Sequence, residues 1–221
     1  KICLPLHNRL NIKVMSLPWI ALGVTALVLF VVFLIQIGVF TWPTVSVEDV
    51  KPTQVIYKYH TGGMKKVGPA FKALSALIGK NCDHDRNARM VGVYYDDPEK
   101  TAEDKTRWAV GVVEDDVDAS AKESLAKAGY KTFLLQGCTT VKTEWKFYPQ
   151  LGPLSILLMV YRCYPALDKY IKTKELHRGN AMEFYHGYKK SSIGIGFIPV
   201  DVRFALKDIN TWAVPEALES K

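Results

Sequence analysis

The residues of this sequence that are best suited to binding chemistry are aromatic side chains and one glutamate on predicted strands. They are Tyr57, Tyr59, Tyr94, Tyr95, Trp108, Trp145, Phe147, Glu183 and Tyr185. Aromatic faces attract cations, and a carboxylate within an aromatic wall would supply a counter-charge. The pattern therefore indicates a common groove for a cationic or amphipathic guest. The alternative interpretation is that the rings fill a core and Glu183 faces water.

Patterns typical of catalysis or metal binding do not occur in the sequence. It has no phosphate loop, nucleophile elbow, His-Glu-x-x-His or Cys-x-x-Cys motif. Cys82-Asp83-His84 lacks a second Cys/His cluster, so we expect a solvated loop there. His60 and His186 end corresponding strands without a nucleophile beside them, and we interpret both as strand-end histidines. We expect no catalytic residue, no metal and no cofactor.

The elements that must position these residues form two similar halves. Each half reads as a strand, a helix and a pair of strands, and the helices follow Pro69 and Pro153, which are 84 residues apart. A shorter helix opening at Ser120 is predicted between the halves. The predicted strands cover 54–60, 90–95, 108–113, 131–135, 141–147, 182–185 and 193–198. We therefore predict an α+β domain built by duplication.

Helical spacing predicts which face of each long helix is buried. The stripe of the first helix consists of Phe71, Leu74, Leu77 and Ile78. That of the second consists of Leu154, Leu157, Leu158, Tyr161, Leu167, Tyr170 and Ile171. Pro165 is expected to kink or restart the second helix.

An uninterrupted apolar run precedes the predicted domain. Leu17 to Phe40 would form roughly 36 Å of helix, and a bilayer core needs about 30 Å. Aromatic residues lie near both ends, as is typical of membrane interfaces. We predict a retained anchor over 15–43, with a signal peptide as the alternative. The residues assigned to the anchor are Leu17, Trp19, Phe30, Phe40 and Trp42.

The sequence also predicts domain boundaries. Met15 directly precedes the apolar run and is a candidate start, so 1–14 are an uncertain leader. The folded domain is assigned to 44–205, and 206–221 to a C-terminal segment.

Charge and cysteine usage favour a cytosolic C-terminal domain. Lys51 and Lys58 follow the run, and the odd number of later cysteines, at 82, 138 and 163, indicates a reducing compartment. No Asn-x-Ser/Thr sequon occurs. The basic residues at 1, 9 and 13 favour the opposite topology.

The net charge argues against direct nucleic-acid binding. It is +7, but only +4 remains after the apolar run, and the basic residues there are single or paired. Phosphate neutralisation would require a clustered basic stripe.

Two sequence stretches resemble the signature of GyrI-like domains. They are Tyr94-Tyr95-Asp96-Asp97-Pro98 and Asp104-Lys105-Thr106-Arg107-Trp108-Ala109-Val110-Gly111. The stretches 57–60, 93–98 and 164–172 further resemble the testis-expressed protein 264 family, over roughly positions 17 to 200. The resemblance implies a transmembrane helix followed by a GyrI-like domain of two tandem strand-helix-strand-strand units.

The same resemblance implies a function. Members of that family are single-pass endoplasmic reticulum proteins that face the cytosol and act as receptors for selective autophagy of that organelle. It implies three partners: the lipid bilayer, Atg8-type modifiers and the p97 unfoldase. Some soluble GyrI-like relatives instead imply a small-molecule site, with an acidic residue where Glu183 falls, and in some cases hydrolytic activity, which we do not expect here. A membrane-tethered binder of cationic amphipaths is therefore the alternative function.

Binding to an Atg8-type modifier requires a tail motif in that family. The motif is aromatic-x-x-aliphatic in an acidic disordered segment, and it adds a strand to the modifier. Trp212 is followed three residues later by Pro215, and Tyr164-Pro165-Ala166-Leu167 lies on a predicted helix. We therefore expect modifier binding only if such a tail follows Lys221.

Overall fold

The computed structural model describes residues 7–79, 88–191, 194–208 and 210–220, with backbone alone for 7–17. This part of the chain divides into two units, with the boundary between Thr41 and Trp42. The loop Cys82-Asp83-His84 and the predicted strand start at 193 lie outside the described residues.

The first unit contains one long helix. Helix α1 covers His7–Gln36, and its segment Pro18–Gln36 is long and apolar enough to cross a bilayer, as a signal sequence also can be. The helix ends before Phe40, because residues 37–40 form a turn with Gly38 at φ 85°. The described side chains of the predicted anchor are exposed: Trp19, Phe30, Phe40 and Trp42.

The second unit is built on an antiparallel sheet. Its strands are β1 (Val45–Val50), β2 (Thr53–Thr61), β3 (Met90–Tyr94), β4 (Arg107–Val113), β5 (Lys131–Leu135), β6 (Cys138–Phe147), β7 (Ala181–Tyr185), β8 (Lys189–Lys190) and β9 (Gly196–Ala205). The strand order is β1-β6-β9-β7-β3-β4-β2-β5, and β8 pairs with β9. Strands β6, β9 and β7 of the second half therefore correspond to β2, β4 and β3 of the first, and the two sets run in opposite directions across the sheet. This arrangement confirms the predicted α+β fold with two tandem units.

Helices cover one face of this sheet. They are α2 (Val67–Ile78), α3 (Ala119–Lys127) and α4 (Pro153–Thr173). Helix α2 contacts β4, and α4 contacts β6 and β9. The central strands β3 and β7 pair with each other where the two halves meet.

The C-terminal residues cover the other face of the sheet. Trp212, Val214 and Ala217 are buried against an apolar cluster from the strands, and α5 covers Pro215–Glu219. The Trp212 indole N–H donates to the Gln136 carbonyl oxygen over 3.2 Å. The segment that we assigned separately from the domain thus contributes to its core.

Several predicted element details were wrong. Strand β1 was missed, and the last strand covers Gly196–Ala205 instead of 193–198. Helix α3 begins at Ala119, one residue before Ser120, because the Asp118 carboxylate caps it by accepting a hydrogen bond from the Ala121 N–H over 2.7 Å. Helix α4 continues through Pro165 without restarting.

The predicted buried stripe of α4 was also wrong in its first half. Its buried residues are Ser155, Met159, Cys163, Leu167 and Ile171. In contrast, the side chains of Leu154, Leu157 and Tyr161 are exposed. Nearly every residue of these first turns is apolar, so hydrophobic spacing alone did not identify the face that meets the sheet.

Candidate functional site

Glu183 lies at the centre of the domain. It is on β7 directly opposite Gly92 of β3, at the junction of the two halves. Two residues further along each strand lie Tyr185 and Tyr94, which pair with Met90 and Ala181. Because side chains alternate across a strand, both tyrosines lie on the same face as Glu183. The two halves thus contribute equivalent phenols on either side of a single carboxylate.

Three phenol groups donate hydrogen bonds to this carboxylate. The Oη atoms of Tyr94 and Tyr185 donate to Glu183 Oε2 over 2.8 and 2.7 Å. From α4, Tyr164 Oη donates to Glu183 Oε1 over 2.8 Å. Glu183 is only 4% exposed. The carboxylate is therefore held in one orientation by groups from both strands and from a helix.

Burial and hydrogen bonding act in opposite directions on the Glu183 carboxyl. Burial raises its pKa above 4.5, and the three phenol hydrogen bonds partly oppose this shift. Burial and the neighbouring Glu183 charge raise the pKa values of Tyr94, Tyr164 and Tyr185 well above 10.0. Within the described ranges, no Lys, Arg or His forms an ion pair with Glu183. Its negative charge is therefore stabilised by neutral donors.

Gly92 provides the space that Tyr94 occupies. A Cβ atom at this position would lie 2.9 Å from Tyr94 Oη and 3.2 Å from Phe71 Cζ. A larger residue would therefore displace the phenol that donates to Glu183. Of the two central strands, β7 carries the Glu183 carboxylate, and Gly92 opposite it on β3 leaves room for that side chain.

Further aromatic rings surround the cluster. The Phe71 ring on α2 packs edge-on against Tyr185 with centroids 5.0 Å apart, and Phe147 does so at 6.1 Å. These residues and Tyr164 are only partly buried. The cluster therefore has an aromatic rim that is partly exposed to solvent.

The structure does not bring all predicted site residues together. Tyr94, Tyr185 and Glu183 share the helix-covered face, whereas Tyr57, Tyr59 and Tyr95 pack on the opposite face. There, Tyr57 Oη donates to Glu216 Oε2 over 2.8 Å, and Tyr59 Oη lies 2.8 Å from Ser220 Oγ. The common groove that we expected is thus wrong for these three tyrosines.

The two predicted tryptophans are part of the core on the helix-covered face. Trp108 is 1% exposed, its indole N–H donates to the Gly62 carbonyl oxygen over 2.8 Å, and it stacks on His60. Trp145 is 6% exposed, and its Nε1 has no hydrogen-bond partner among the described residues. Within the described residues, neither indole forms a hydrogen bond with the Glu183 carboxylate.

Tyr164 is the site residue that our reasoning on chemistry missed. It lies on α4 directly after buried Cys163 and three residues before buried Leu167. Helical spacing could have placed it near the core. It was passed over because the aromatic set was drawn from strands alone.

The other titratable candidates have structural partners. His186 Nε2 lies 3.1 Å from Asp201, which also accepts from Arg203. Hydrogen bonds from His186 and Arg203 outweigh burial and lower the pKa of Asp201 to about 2. Cys138 and Cys163 are free and buried, and burial raises the pKa of Cys163 to about 12. Among the residues described, no group of three His, Cys, Asp or Glu side chains could hold a metal.

Comparisons with known proteins agree with this architecture. The family model described as GyrI-like small molecule binding domain matches residues 43–148. The testis-expressed protein 264 homolog of Mus musculus is 31% identical over 155 residues, which are 67% of this chain and 47% of the mouse protein. Testis-expressed protein 264 of Homo sapiens is 31% identical over 140 residues, which are 62% of this chain and 42% of the human protein.

Solved structures are more distant. The EcmrR C-terminal domain superposes with a TM-score of 0.45 and 12% identity, over 75% of this chain and 98% of that domain. The chain spans about half the length of the curated relatives that it matches. Tyr94 lies within the matched GyrI-like residues, and Tyr164, Glu183 and Tyr185 lie beyond them.

The chain therefore contains a GyrI-like domain, which the family model matches over residues 43–148. Its sequence identity to the mouse and human proteins further shows that the chain is a homologue of testis-expressed protein 264.

Proposed function

We propose that this protein is a single-pass receptor or adaptor of the endoplasmic reticulum membrane, with its GyrI-like domain in the cytosol. It acts in selective autophagy of that organelle. Helix α1 holds it in the lipid bilayer, and its partners are the p97 unfoldase and, through a tail beyond Lys221, an Atg8-type modifier. It binds no nucleic acid directly and has no enzymatic activity. The supporting observation is the 31% identity to testis-expressed protein 264 homolog over 155 residues.

Localisation and turnover of the endogenous protein test this proposal. We expect it to resist alkaline carbonate extraction of reticulum membranes and to lose its C-terminal domain when intact microsomes are treated with protease. Its intact mass is expected to exceed 24.9 kDa because of an acidic tail with an aromatic-x-x-aliphatic motif. Its loss from cells should slow starvation-induced delivery of reticulum proteins to lysosomes. Protease protection of the domain, or unchanged delivery, would contradict the proposal.

The geometry around Glu183 supports a second function, in which the domain binds a monovalent cationic amphipath. Among the described residues, the buried Glu183 carboxylate is balanced only by neutral phenols, and such a carboxylate gains most from a cation. Phe71, Phe147 and Tyr185 would contact the apolar part of the guest, and ring faces would attract its charge. Binding a cation would also lower the pKa of Glu183, so uptake at a pH near that value would release protons.

Calorimetry with rhodamine 6G tests the second function on the full chain in phosphatidylcholine nanodiscs, with empty nanodiscs subtracted. We expect Glu183→Gln to weaken binding about tenfold or more, since a charge-assisted contact contributes about 1.5–3 kcal/mol. Glu216→Gln is the matched control, because Glu216 also accepts from a tyrosine but on the opposite face. Equal affinity of the Glu183→Gln variant and the unmodified protein would refute this site.

A further inference from the structure

The first turns of α4 are apolar on the side that faces away from the sheet. In residues 153–161, Ser155 is the one side chain with an aliphatic hydroxyl, and it is 1% exposed. Its Oγ accepts a hydrogen bond from the Tyr148 N–H over 2.8 Å. The outer side instead presents Leu154, Ile156, Leu157, Val160 and Tyr161, which are 39–73% exposed and which we call the outer α4 face.

Folding of the domain does not explain this face. A surface helix normally turns its apolar side inward and its polar side to water, and here the pattern is reversed. Leu154, Leu157 and Tyr161 follow one another at helical spacing, so they form a contiguous patch. Contiguous exposed apolar patches on folded domains mark contacts with other proteins or with membranes.

Trp42, which follows the apolar helix in the sequence, indicates what this face contacts. The Arg162 guanidinium lies 4.8 Å from the centroid of the Trp42 ring, and Arg162 directly follows Tyr161 of the outer α4 face. Trp42 itself is 76% exposed. It is six residues after Gln36, and a segment of that length spans at most about 20 Å. Trp42 is the first residue of the folded unit, so the chain enters that unit beside the outer α4 face.

We propose that the outer α4 face docks onto the interface of the same bilayer that α1 spans. The boundary between headgroups and acyl chains receives the side chains of Leu154, Leu157 and Val160, which would otherwise be exposed to water. Tyr161 and Trp42 have rings suited to that interface, and Arg162 is placed to reach lipid phosphate oxygens. This inference rests on the membrane anchoring in the proposed function, and it adds a second, non-covalent contact that fixes the orientation of the domain.

Spin labels on the full chain in phosphatidylcholine nanodiscs test this docking. The background carries Cys3→Ser and Cys82→Ser, since Cys138 and Cys163 are buried. The test variant is Leu157→Cys, and Leu154→Cys is a second variant on the same face. Leu218→Cys is the matched control, because Leu218 and Leu157 are 47% and 51% exposed and Leu218 lies on α5. Collision with molecular oxygen and with a water-soluble nickel complex is measured at each label.

We expect the labels at 157 and 154 to lose collisions with the nickel complex and to gain collisions with oxygen, relative to the label at 218. Labels at 157 that are as accessible to nickel as those at 218 would overturn the docking. Dipolar broadening at 157 that vanishes on dilution with unlabelled protein would also overturn it, in favour of a second copy of the chain. Alkaline extraction of the same nanodisc protein reports the anchor separately, so failed docking and failed anchoring give different results.

Discussion

Two tyrosine–glutamate clusters lie on opposite faces of the same sheet and differ in how the carboxylate is balanced. Glu183 accepts from three phenols and is 4% exposed. Glu216 accepts from Tyr57 and also from the Lys131 ammonium, over 2.6 Å. Burial raises the pKa of Glu183, whereas for Glu216 the hydrogen bonds outweigh burial and lower the pKa.

This difference separates a structural cluster from a candidate binding cluster. Glu216 already has a cation, and its cluster fastens the C-terminal segment to β2 and β5. A buried carboxylate without a cation is costly to maintain, which is more typical of a functional site than of a structural one. The same pair of residue types therefore has two roles, which depend on burial and on a neighbouring lysine.

The largest expected effect concerns the C-terminal segment. Trp212→Ala should lower the free energy of unfolding by about 3–5 kcal/mol, because a fully buried indole would leave a cavity. Urea unfolding of the full chain in detergent measures this change. The control Leu218→Ala removes an exposed side chain and should change it by less than about 0.5 kcal/mol. Similar values for both variants would show that the segment is not integral to the domain.

A smaller effect is expected at the centre of the Glu183 cluster. Gly92→Ala should cost about 1–3 kcal/mol, because its Cβ would lie 2.9 Å from Tyr94 Oη. Gly68→Ala is the control, since nothing lies within 4 Å of a Cβ there and the residue is helical. That variant should change the free energy of unfolding by less than about 1 kcal/mol, since helix propensity favours alanine whereas the following Pro69 disfavours a helical residue with a Cβ. Both values come from urea midpoints, and a neutral Gly92→Ala would mean that Tyr94 moves without cost.

The two glutamates should respond to pH with opposite signs. The pKa of Glu183 is raised on folding, so its contribution relative to Glu183→Gln is greatest below pH 4.5 and is lost as the pH rises through the folded-state value. The pKa of Glu216 is lowered, so its contribution relative to Glu216→Gln is present above pH 4.5 and is lost as the pH falls through the folded-state value. Urea unfolding of the unmodified protein and of each variant between about pH 3 and 8 measures both contributions to the free energy of unfolding. If both contributions changed with pH in the same direction, the stated difference between Glu183 and Glu216 would be wrong.

The smallest effect is expected at the solvent edge of the Glu216 cluster. Tyr59→Phe should change the free energy of unfolding by about 0.5 kcal/mol or less, since its hydroxyl and that of Ser220 are exposed. Tyr164→Phe should cost about 1.5–3 kcal/mol, because Glu183 would lose one of three donors in a buried site. Thermal or urea unfolding measures both variants. An equal loss in the free energy of unfolding for Tyr59→Phe and Tyr164→Phe would remove the distinction between the two clusters.

Much of the architecture could be predicted from local pattern. Alternation placed β2, β5 and β7 within two residues of their observed bounds, and Pro69 and Pro153 marked the starts of both long helices. The candidate site was predicted only in part, because Glu183, Tyr94 and Tyr185 were named and Tyr164 was not. Tyr57 and Tyr59 alternate on β2 like residues of a pocket, but the residues that cover them, Glu216 and Ser220, come 159 and 161 positions later.

The sequence by itself determined the apolar helix, the duplication and the residue types of the site, because periodicity and composition are local properties. The tertiary structure alone decided that Gly92 lies opposite Glu183, which tyrosines reach that carboxylate, and that Lys131 neutralises Glu216. It also decided that Leu157 and Tyr161 face outward, since α4 is apolar on both sides. The physical reason is that strand register and helix rotation are set by contacts between distant residues, which no local pattern records.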